Sequence, residues 1–273
     1  MPRPVLSRRW LPALLLLVVL APAAHAQRRG EDRSWLDRCR DGGDRGRATV
    51  CQEQELTLPV TGGRLSVNAR PNGGITVVGT NRRDIRVVAR IQANARREAD
   101  AREVLEEIQL HTDGEIRATG PRTGRDESWS VSFVLEVPRT IDLDLSSTNG
   151  GIAVEGVEGD LDLRTTNGGL TLEAVAGAVR GRTTNGGITV ALEGDRWRGS
   201  GLDVQTTNGG VRLQVPERYN ARLETGTVNG GLNFDFPVTV RGRISRRLTT
   251  DLGEGGAPIR VMTTNGGVTV SRR

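Results

Sequence analysis

Two carboxylates in this 273-residue chain are spaced so that they could act together on a substrate. Asp144 and Asp162 occupy the same point of a repeated segment, and Arg180 follows after the same interval. If the repeats stack as strands, the two acids come about 4.8 Å apart. Paired carboxylates, with arginine or calcium assisting, are what glycan-cleaving sites require. The alternative is that these charges only solvate the outer face of a stacked β-structure. The acid pair could also hold a calcium ion weakly, but the chain has no dense Gly-Asp calcium repeat.

The repeat that places these acids is marked by Asn-Gly-Gly, which occurs seven times in the chain. The asparagines are Asn72, Asn149, Asn167, Asn185, Asn208, Asn229 and Asn265. The last six are separated by 18, 18, 23, 21 and 36 residues, which is the period range of stacked solenoid coils. The final gap equals two 18-residue coils, although it contains only Gly253-Glu254-Gly255-Gly256 and no further Asn-Gly-Gly.

Apolar residues alternate with polar ones on both sides of each corner, as strands require. They lie three and five residues after each asparagine of the last six repeats, at Ile152, Leu170, Ile188, Val211, Leu232, Val268, Val154, Leu172, Val190, Leu213, Phe234 and Val270. Six and four residues before it stand Leu143, Leu161, Val179, Leu202, Leu223, Ile259, Leu145, Leu163, Gly181, Val204, Thr225 and Val261. Each repeat is therefore a strand, a corner and a second strand, and stacking buries its apolar face.

Corner chemistry explains the Thr-Thr-Asn-Gly-Gly motif without a ligand. Asn tolerates and Gly prefers positive φ, so we expect the corners to turn tightly, and stacked amides can bond as a ladder. A hydroxyl two residues before each asparagine can satisfy nearby backbone. The alternative is a ligand surface of exposed Thr and Asn rows, such as an ice-binding face, but Arg212 and Asn233 interrupt the row that contains Thr171 and Thr189.

These patterns predict an all-β fold, a β-solenoid of stacked 18–23-residue coils over residues 142–273. Residues 53–141 are less regular and read as opening coils, with strands at 56–60, 64–69, 75–78, 85–91, 116–118 and 131–137. Residues 95–107 are suited to one short helix, with Ala101, Val104, Leu105 and Ile108 on one face. We expect this helix to cap the open end or side of the solenoid, and a partner-binding helix is the alternative.

The first 26 residues have the features of a cleaved signal peptide. Arg3, Arg8 and Arg9 precede an apolar run over residues 11–20, and Ala24-His25-Ala26 gives the small-x-small cleavage pattern. The mature chain is then expected to start at Gln27, with no lipid anchor and no transmembrane segment. This predicts export to the periplasm, the cell surface or the medium.

Net charge argues against nucleic-acid binding. The 38 basic residues are all arginine and oppose 33 acidic ones, and removing three signal-peptide arginines leaves 35 − 33 = +2. The charges alternate in sign along the chain rather than forming a basic face, and only eight aromatic residues are available to stack on bases.

Cys39 and Cys51, in an N-terminal segment spanning residues 27–52, are predicted to form a disulfide in an oxidising compartment. The short loop would contribute about 3 kcal/mol at best. A redox-active pair is the alternative, but the spacing is far from Cys-x-x-Cys. His111 is the one histidine after residue 26, so we predict no metal site, no cofactor and no catalytic residue.

The chain resembles a known bacterial family in three features. These are the Cys pair, the strand-helix-strand segment, and the run Val137-Pro138-Arg139-Thr140-Ile141-Asp142-Leu143 that leads into Thr-Asn-Gly-Gly coils. The family is the β-strand-repeat family of unknown function labelled "putative adhesin", and the resemblance spans roughly residues 50–273. It implies a β-solenoid in the cell envelope and supplies no catalytic residues.

We therefore expect a non-catalytic, exported envelope scaffold or adhesion module whose exposed faces contact glycan or another envelope protein. The candidate binding face comprises Asp144, Asp162, Arg164, Arg180, Arg182, Asp203 and Glu224. The alternatives are a polysaccharide-active β-helix enzyme and a regulator of envelope-stress signalling that acts through a membrane partner. The oligomeric state is left open.

Overall fold

The computed structural model describes residues 34–42, 46–237 and 246–273, so the predicted signal peptide lies outside the described residues. The helices are α1 (Trp35–Asp41) and α2 (Glu98–Glu106). The strands are β1 (Ala48–Pro59), β2 (Arg64–Asn68), β3 (Ile75–Thr80), β4 (Asp84–Ala95), β5 (Gln109–His111), β6 (Glu115–Thr119), β7 (Ser128–Pro138), β8 (Asp142–Ser146), β9 (Ile152–Glu155), β10 (Glu158–Thr165), β11 (Leu170–Glu173), β12 (Ala176–Asn185), β13 (Ile188–Ala191), β14 (Gly201–Asn208), β15 (Val211–Val215), β16 (Ala221–Asn229), β17 (Leu232–Phe234), β18 (Arg247–Leu252), β19 (Pro258–Asn265) and β20 (Val268–Arg272).

The strands form two ten-stranded sheets rich in parallel pairs. Sheet A has the order β1-β4-β7-β3-β9-β11-β13-β15-β20-β17, and sheet B has the order β18-β16-β19-β14-β12-β10-β8-β2-β6-β5. Among the described strands, the pairs β1–β4, β4–β7, β16–β18 and β5–β6 are antiparallel and the other pairs are parallel. The protein is thus mostly β, with one sheet holding the strand before each corner and the other the strand after it.

The repeats stack in the register that the sequence predicts. In sheet B, Leu161 pairs with Leu143 on one side and with Val179 on the other. In sheet A, Leu170 pairs in the same way with Ile152 and Ile188. The predicted inward positions are all buried except Leu232 and Phe234, which are half-buried on β17 at the edge of sheet A. The alternating pattern therefore places one apolar core on the inner faces of the strands.

Close approach of neighbouring backbones, and not positive φ, explains the glycines of the corners. Our expectation of positive φ was wrong, because among the Asn-Gly-Gly residues of the described chain only Gly266 has one, at +155°. A Cβ added at Gly186 would lie 2.0 Å from the carbonyl oxygen of Gly168, one repeat away. At the second glycine, Gly187, the nearest atom would be the Gly210 oxygen at 3.4 Å. The first glycine thus has no room for a side chain, whereas the second does.

Two hydrogen-bonded rows run along these corners, as the sequence predicts. Each asparagine amide nitrogen donates to the side-chain oxygen of the asparagine before it in the stack, over 2.7–2.8 Å, in the order Asn72, Asn149, Asn167, Asn185, Asn208, Asn265, Asn229. The buried hydroxyls two residues before the last six asparagines donate to first-glycine carbonyls; they belong to Ser147, Thr165, Thr183, Thr206, Thr227 and Thr263. Both rows bind each repeat to its neighbour.

The final repeat does not follow the preceding one in space. β19 pairs with both β14 and β16, and β20 pairs with both β15 and β17. The last repeat of the chain therefore lies between the two repeats that precede it in sequence. The 36-residue gap does not contain a further Asn-Gly-Gly coil; it contains β18, which pairs antiparallel with β16 at the edge of sheet B.

The N-terminal part contains two helices where the sequence predicted one. The unpredicted α1 begins after Ser34, whose hydroxyl accepts a hydrogen bond from the Asp37 amide at 3.2 Å. The predicted disulfide is present between Cys39 on α1 and Cys51 on β1. The predicted helix is α2, which packs on β4 and β1 at one end of sheet A and buries Ala101 and Val104. These contacts place α2 against the first two strands of sheet A.

Candidate binding faces

The predicted charged residues come together on the outer face of sheet B. The parallel register aligns Asp144 with Asp162 and then Arg180, and it continues through Asp203. Arg260 of the last repeat stands between Asp203 and Glu224. Arg164 and Arg182 lie two residues further along their strands, paired with each other in the neighbouring column. Sequence spacing therefore placed all seven residues on one surface, which we call the charged column, and Arg260 lies in the same column.

The charges of this column are largely neutralised within it. Arg164 binds both Asp162 and Asp144, the latter at 3.3 Å. Arg182 and Arg260 bind Asp203 at 2.9 and 3.2 Å. Burial raises the pKa of the Asp203 carboxyl, but hydrogen bonds from Arg182 and Gln205 and the charges of Arg182 and Arg260 lower it below its ordinary value overall. The column is thus a network of ion pairs between repeats.

This network changes how the acid pair can be used in chemistry. Asp144 and Asp162 are adjacent, as glycoside cleavage would need, but the same guanidinium of Arg164 bonds to both carboxylates. Each carboxylate is therefore engaged by the protein itself. Within residues 34–42, 46–237 and 246–273, no group of three or more His, Cys, Asp or Glu side chains is arranged to hold a metal ion.

A groove on the outer face of sheet A was not predicted from the sequence. It is a shallow depression of about 420 Å³, wide open to solvent, next to Trp35, the first residue of α1. Its floor is made of short residues on the strands and corners, including Gly74, Gly151, Gly169, Thr76, Ala153, Thr171 and Ser132. The half-buried indole thus stands at the rim of a flat floor that is four strands wide, from β7 through β3 and β9 to β11.

Arg90 fixes the indole at the rim of this groove. Its guanidinium carbon lies 5.6 Å from the centroid of the Trp35 ring, and its Nε donates to Glu53 over 3.0 Å. A guanidinium over an aromatic face is an attractive arrangement. The disulfide from Cys39 to Cys51 holds the helix that carries Trp35 against β1. The groove therefore has one aromatic wall that is held by a stacking contact and a covalent bond.

The family model for "Toastrack DUF4097" matches residues 53–271 of this chain. The chain belongs to the Toastrack DUF4097 family. The match covers nearly all of residues 50–273, the segment that resembles the "putative adhesin" family in sequence, so the family assignment is confirmed. Trp35 and α1 lie before the matched residues of this Toastrack protein, while the floor of the groove lies within them.

Solved structures of two bacterial proteins are similar to this Toastrack chain. One is a "putative cell adhesion protein" from Clostridium sporogenes, 9% identical, with 82% of this chain and 100% of that chain covered and a TM-score of 0.46. The other is a "putative adhesin" from Bacteroides fragilis, 8% identical, with 82% and 97% covered and a TM-score of 0.35. No curated protein matches this chain at a significant level.

No helix in the part of this Toastrack chain that the structure describes is long and apolar enough to span a membrane. Its exposed surface also carries few large apolar side chains, with Val60 and Val228 the two that stand out among the described residues. The faces presented to solvent are therefore polar rows and the Trp35 groove.

Proposed function

We propose that this protein is a non-catalytic binding module of the cell envelope, exported and cleaved before Gln27. Its two sheets would form the faces of a solenoid-like stack, which serves as a rigid scaffold for surface contacts. The repeated register and the two hydrogen-bonded rows support this stiffness, because each repeat is bonded to its neighbours through backbone, amides and hydroxyls. The ligand class we propose is glycan.

The observation that carries this proposal is the Trp35 groove. Sugar rings have one apolar face and hydroxyl edges, so a site for them combines an aromatic ring with nearby hydrogen-bonding groups. Here the indole of Trp35 lines the same groove as Thr76, Thr171 and Ser132, together with the corner residues Gly74, Gly151 and Gly169. The strands that form the floor repeat about every 4.8 Å, which suits an extended polymer better than a single small molecule.

The charged column is the second surface to test. It was the candidate from the sequence, and the exposed guanidinium of Arg180 lies 3.6 Å from the carboxylate of Asp160. Most of its other charges bind one another within the face, as described above. A charged ligand would have to compete with those internal pairs, which is why we place the glycan contact in the groove rather than on the column.

Co-sedimentation of residues 27–273 with peptidoglycan and insoluble polysaccharides, at low and high salt, tests this function. Thr171→Arg would fill the groove floor with a long side chain, and we expect it to abolish or strongly weaken saturable binding. Thr189→Arg is the matched control, because Thr189 pairs with Thr171 in the same outward column but does not line the groove. Melting temperatures of both variants check that the fold is kept.

Each outcome separates one alternative. Equal binding by Thr171→Arg and Thr189→Arg would rule out the groove. Weakening by Arg180→Glu alone would move the contact to the charged column. A fall in polymer mass during incubation would show catalysis. Absence of binding to every polymer would favour a protein partner in the envelope, such as the membrane partner of a signalling system.

A further inference from the structure

The last repeat of the chain fills a slot between two repeats that precede it. β19 and β20 together form this C-terminal coil, residues 258–272. On one side it pairs with the coil of β14 and β15, and on the other with the coil of β16 and β17. This coil therefore follows both of its neighbours in the sequence but lies between them in the stack.

Both sides of the slot are sheet edges that only this coil pairs in the structure. Its side chains Ile259, Val261, Val268 and Val270 are buried to 1% exposure or less. Ile259 stacks between Leu202 and Leu223. A chain whose C-terminal coil is not yet seated exposes two open sheet edges and these apolar columns, and such edges readily pair with another strand.

The slot matches this coil in charge as well as in shape. The two flanking coils share one register, so without the coil Asp203 would stand next to Glu224. Arg260 of the coil separates them and binds Asp203 at 3.2 Å. Asn265 likewise continues the amide row between Asn208 and Asn229. The slot therefore selects the C-terminal coil over direct contact between its two flanks.

Apart from its strand pairs, this coil is joined to the rest of its own chain by a glycine-rich turn and by exposed contacts of its last residues. Residues 253–257 join it to β18, and Gly253, Gly255 and Gly256 in this turn have φ values of +56°, +80° and +141°. At the other end, Arg273 reaches Glu193 at 3.2 Å and Arg272 donates to the Glu217 carbonyl at 2.8 Å. The disulfide lies far away in sequence, on α1 and β1. No covalent bond other than the turn keeps the coil in its own chain.

We propose that the slot accepts the C-terminal coil of a second copy of this chain, and that two copies exchange coils to form a two-fold dimer. A coil from another copy presents the same Ile259, Arg260 and Asn265, so every contact of the slot is reproduced. The two forms differ only in the path of the turn at 253–257. Exchange of an identical element through such a turn is a low-cost route to dimers.

Engineered cysteines on two different chains test the exchange directly. Arg212 on β15 and Thr269 on β20 are register partners on the outer face of sheet A. One full mature chain carries Arg212→Cys and a second, of distinguishable mass, carries Thr269→Cys. The chains are unfolded together at acidic pH, where the added thiols stay protonated and the native disulfide does not exchange, then refolded as a mixture and oxidised. We expect a disulfide-linked heterodimer.

A matched pair in the same column distinguishes exchange from random collision. Thr171→Cys and Thr189→Cys are register partners on neighbouring coils that are not exchanged. Exchange predicts roughly tenfold more cross-chain product from the first pair than from this control pair, because the thiols are held within one complex. Equal yields from the two pairs would overturn the proposal. The double variant Arg212→Cys/Thr269→Cys in a single chain verifies that the geometry permits the bond.

Light scattering on the unmodified mature chain gives an independent measurement. Refolding at increasing protein concentration should raise the fraction with the mass of two chains, and this fraction should persist after dilution, because separating the copies requires both coils to leave their slots. A mass of one chain at every refolding concentration would overturn the proposal, whatever the cysteine variants show.

Discussion

The hydroxyl of Thr183 donates a hydrogen bond of 2.7 Å to the carbonyl oxygen of Gly168, one repeat earlier in the stack. Thr183 is buried. The same Gly168 oxygen is the atom that a Cβ added at Gly186, in the next corner, would meet at 2.0 Å. Gly186 has no side chain, so its backbone can approach the Gly168 carbonyl closely, and the Thr183 hydroxyl supplies a hydrogen-bond donor to that carbonyl. The corner is held by this pair rather than by an unusual backbone angle.

Thr183→Val should destabilise the fold by about 1–3 kcal/mol, because the variant keeps the shape but leaves a buried carbonyl without its donor. Thr184→Val is the control, since Thr184 is exposed and should change stability by less than about 0.5 kcal/mol. Urea unfolding of both variants measures the difference. Similar midpoints for the two would show that the buried hydroxyl row adds nothing to stability.

Gly186→Ala and Gly187→Ala should differ sharply although the residues are adjacent. The added methyl at position 186 would meet a backbone oxygen at 2.0 Å, so the corner has to open, at about 3 kcal/mol or more. At position 187 the nearest atom is 3.4 Å away and φ is not positive, so alanine should be tolerated within about 1 kcal/mol. Thermal unfolding distinguishes them, and equal losses would contradict the close-approach explanation.

Strand register and the buried columns could be predicted from the sequence because the corner motif aligns every repeat on one asparagine. The order of the coils in the stack could not be predicted. The coils with corners at Asn208, Asn229 and Asn265 have the same alternating pattern of apolar residues, so this pattern allows them to pair in any order. The insertion of Arg260 between Asp203 and Glu224 depends on that order. The Trp35 groove was missed for another reason: it joins a short helix to strands distant in the chain, which leaves no periodic signal.

Asp203→Asn should weaken the fold in a pH-dependent way. The pKa of Asp203 in the folded state lies below its unfolded value of about 3.9, so the ionised carboxylate stabilises the fold above that pH. This contribution is lost as the pH falls through the lowered pKa. We expect the variant to be less stable than the parent by about 0.5–1 kcal/mol at pH 7, the range for a partly exposed ion pair.

Urea unfolding of the parent and the Asp203→Asn variant at about pH 7 and at about pH 2 measures this difference. The difference in stability between the two proteins should shrink towards the acidic value, because the parent loses the contribution of its carboxylate as that group takes up a proton. A difference that stays constant between the two pH values would mean that the Asn side chain acts through packing and not through loss of the ion pairs to Arg182 and Arg260.

Tyr219 offers a direct check of the core next to the C-terminal coil, because it is the one tyrosine in the chain. Its side chain is buried at 4% exposure, and desolvation of the phenolate raises the pKa of Tyr219 to about 12, against the opposing charge of Arg198. The neutral phenol thus stabilises the fold below about pH 10, and that contribution is lost as the pH rises towards 12.

Phenolate absorbance should therefore show a titration midpoint near pH 12 in the native protein and near pH 10 in urea. Circular dichroism on the same samples follows the fold, and Tyr219→Phe should remove the absorbance change. A native midpoint near 10 would show that the phenol is open to water and that this part of the core is packed less tightly than the structure indicates.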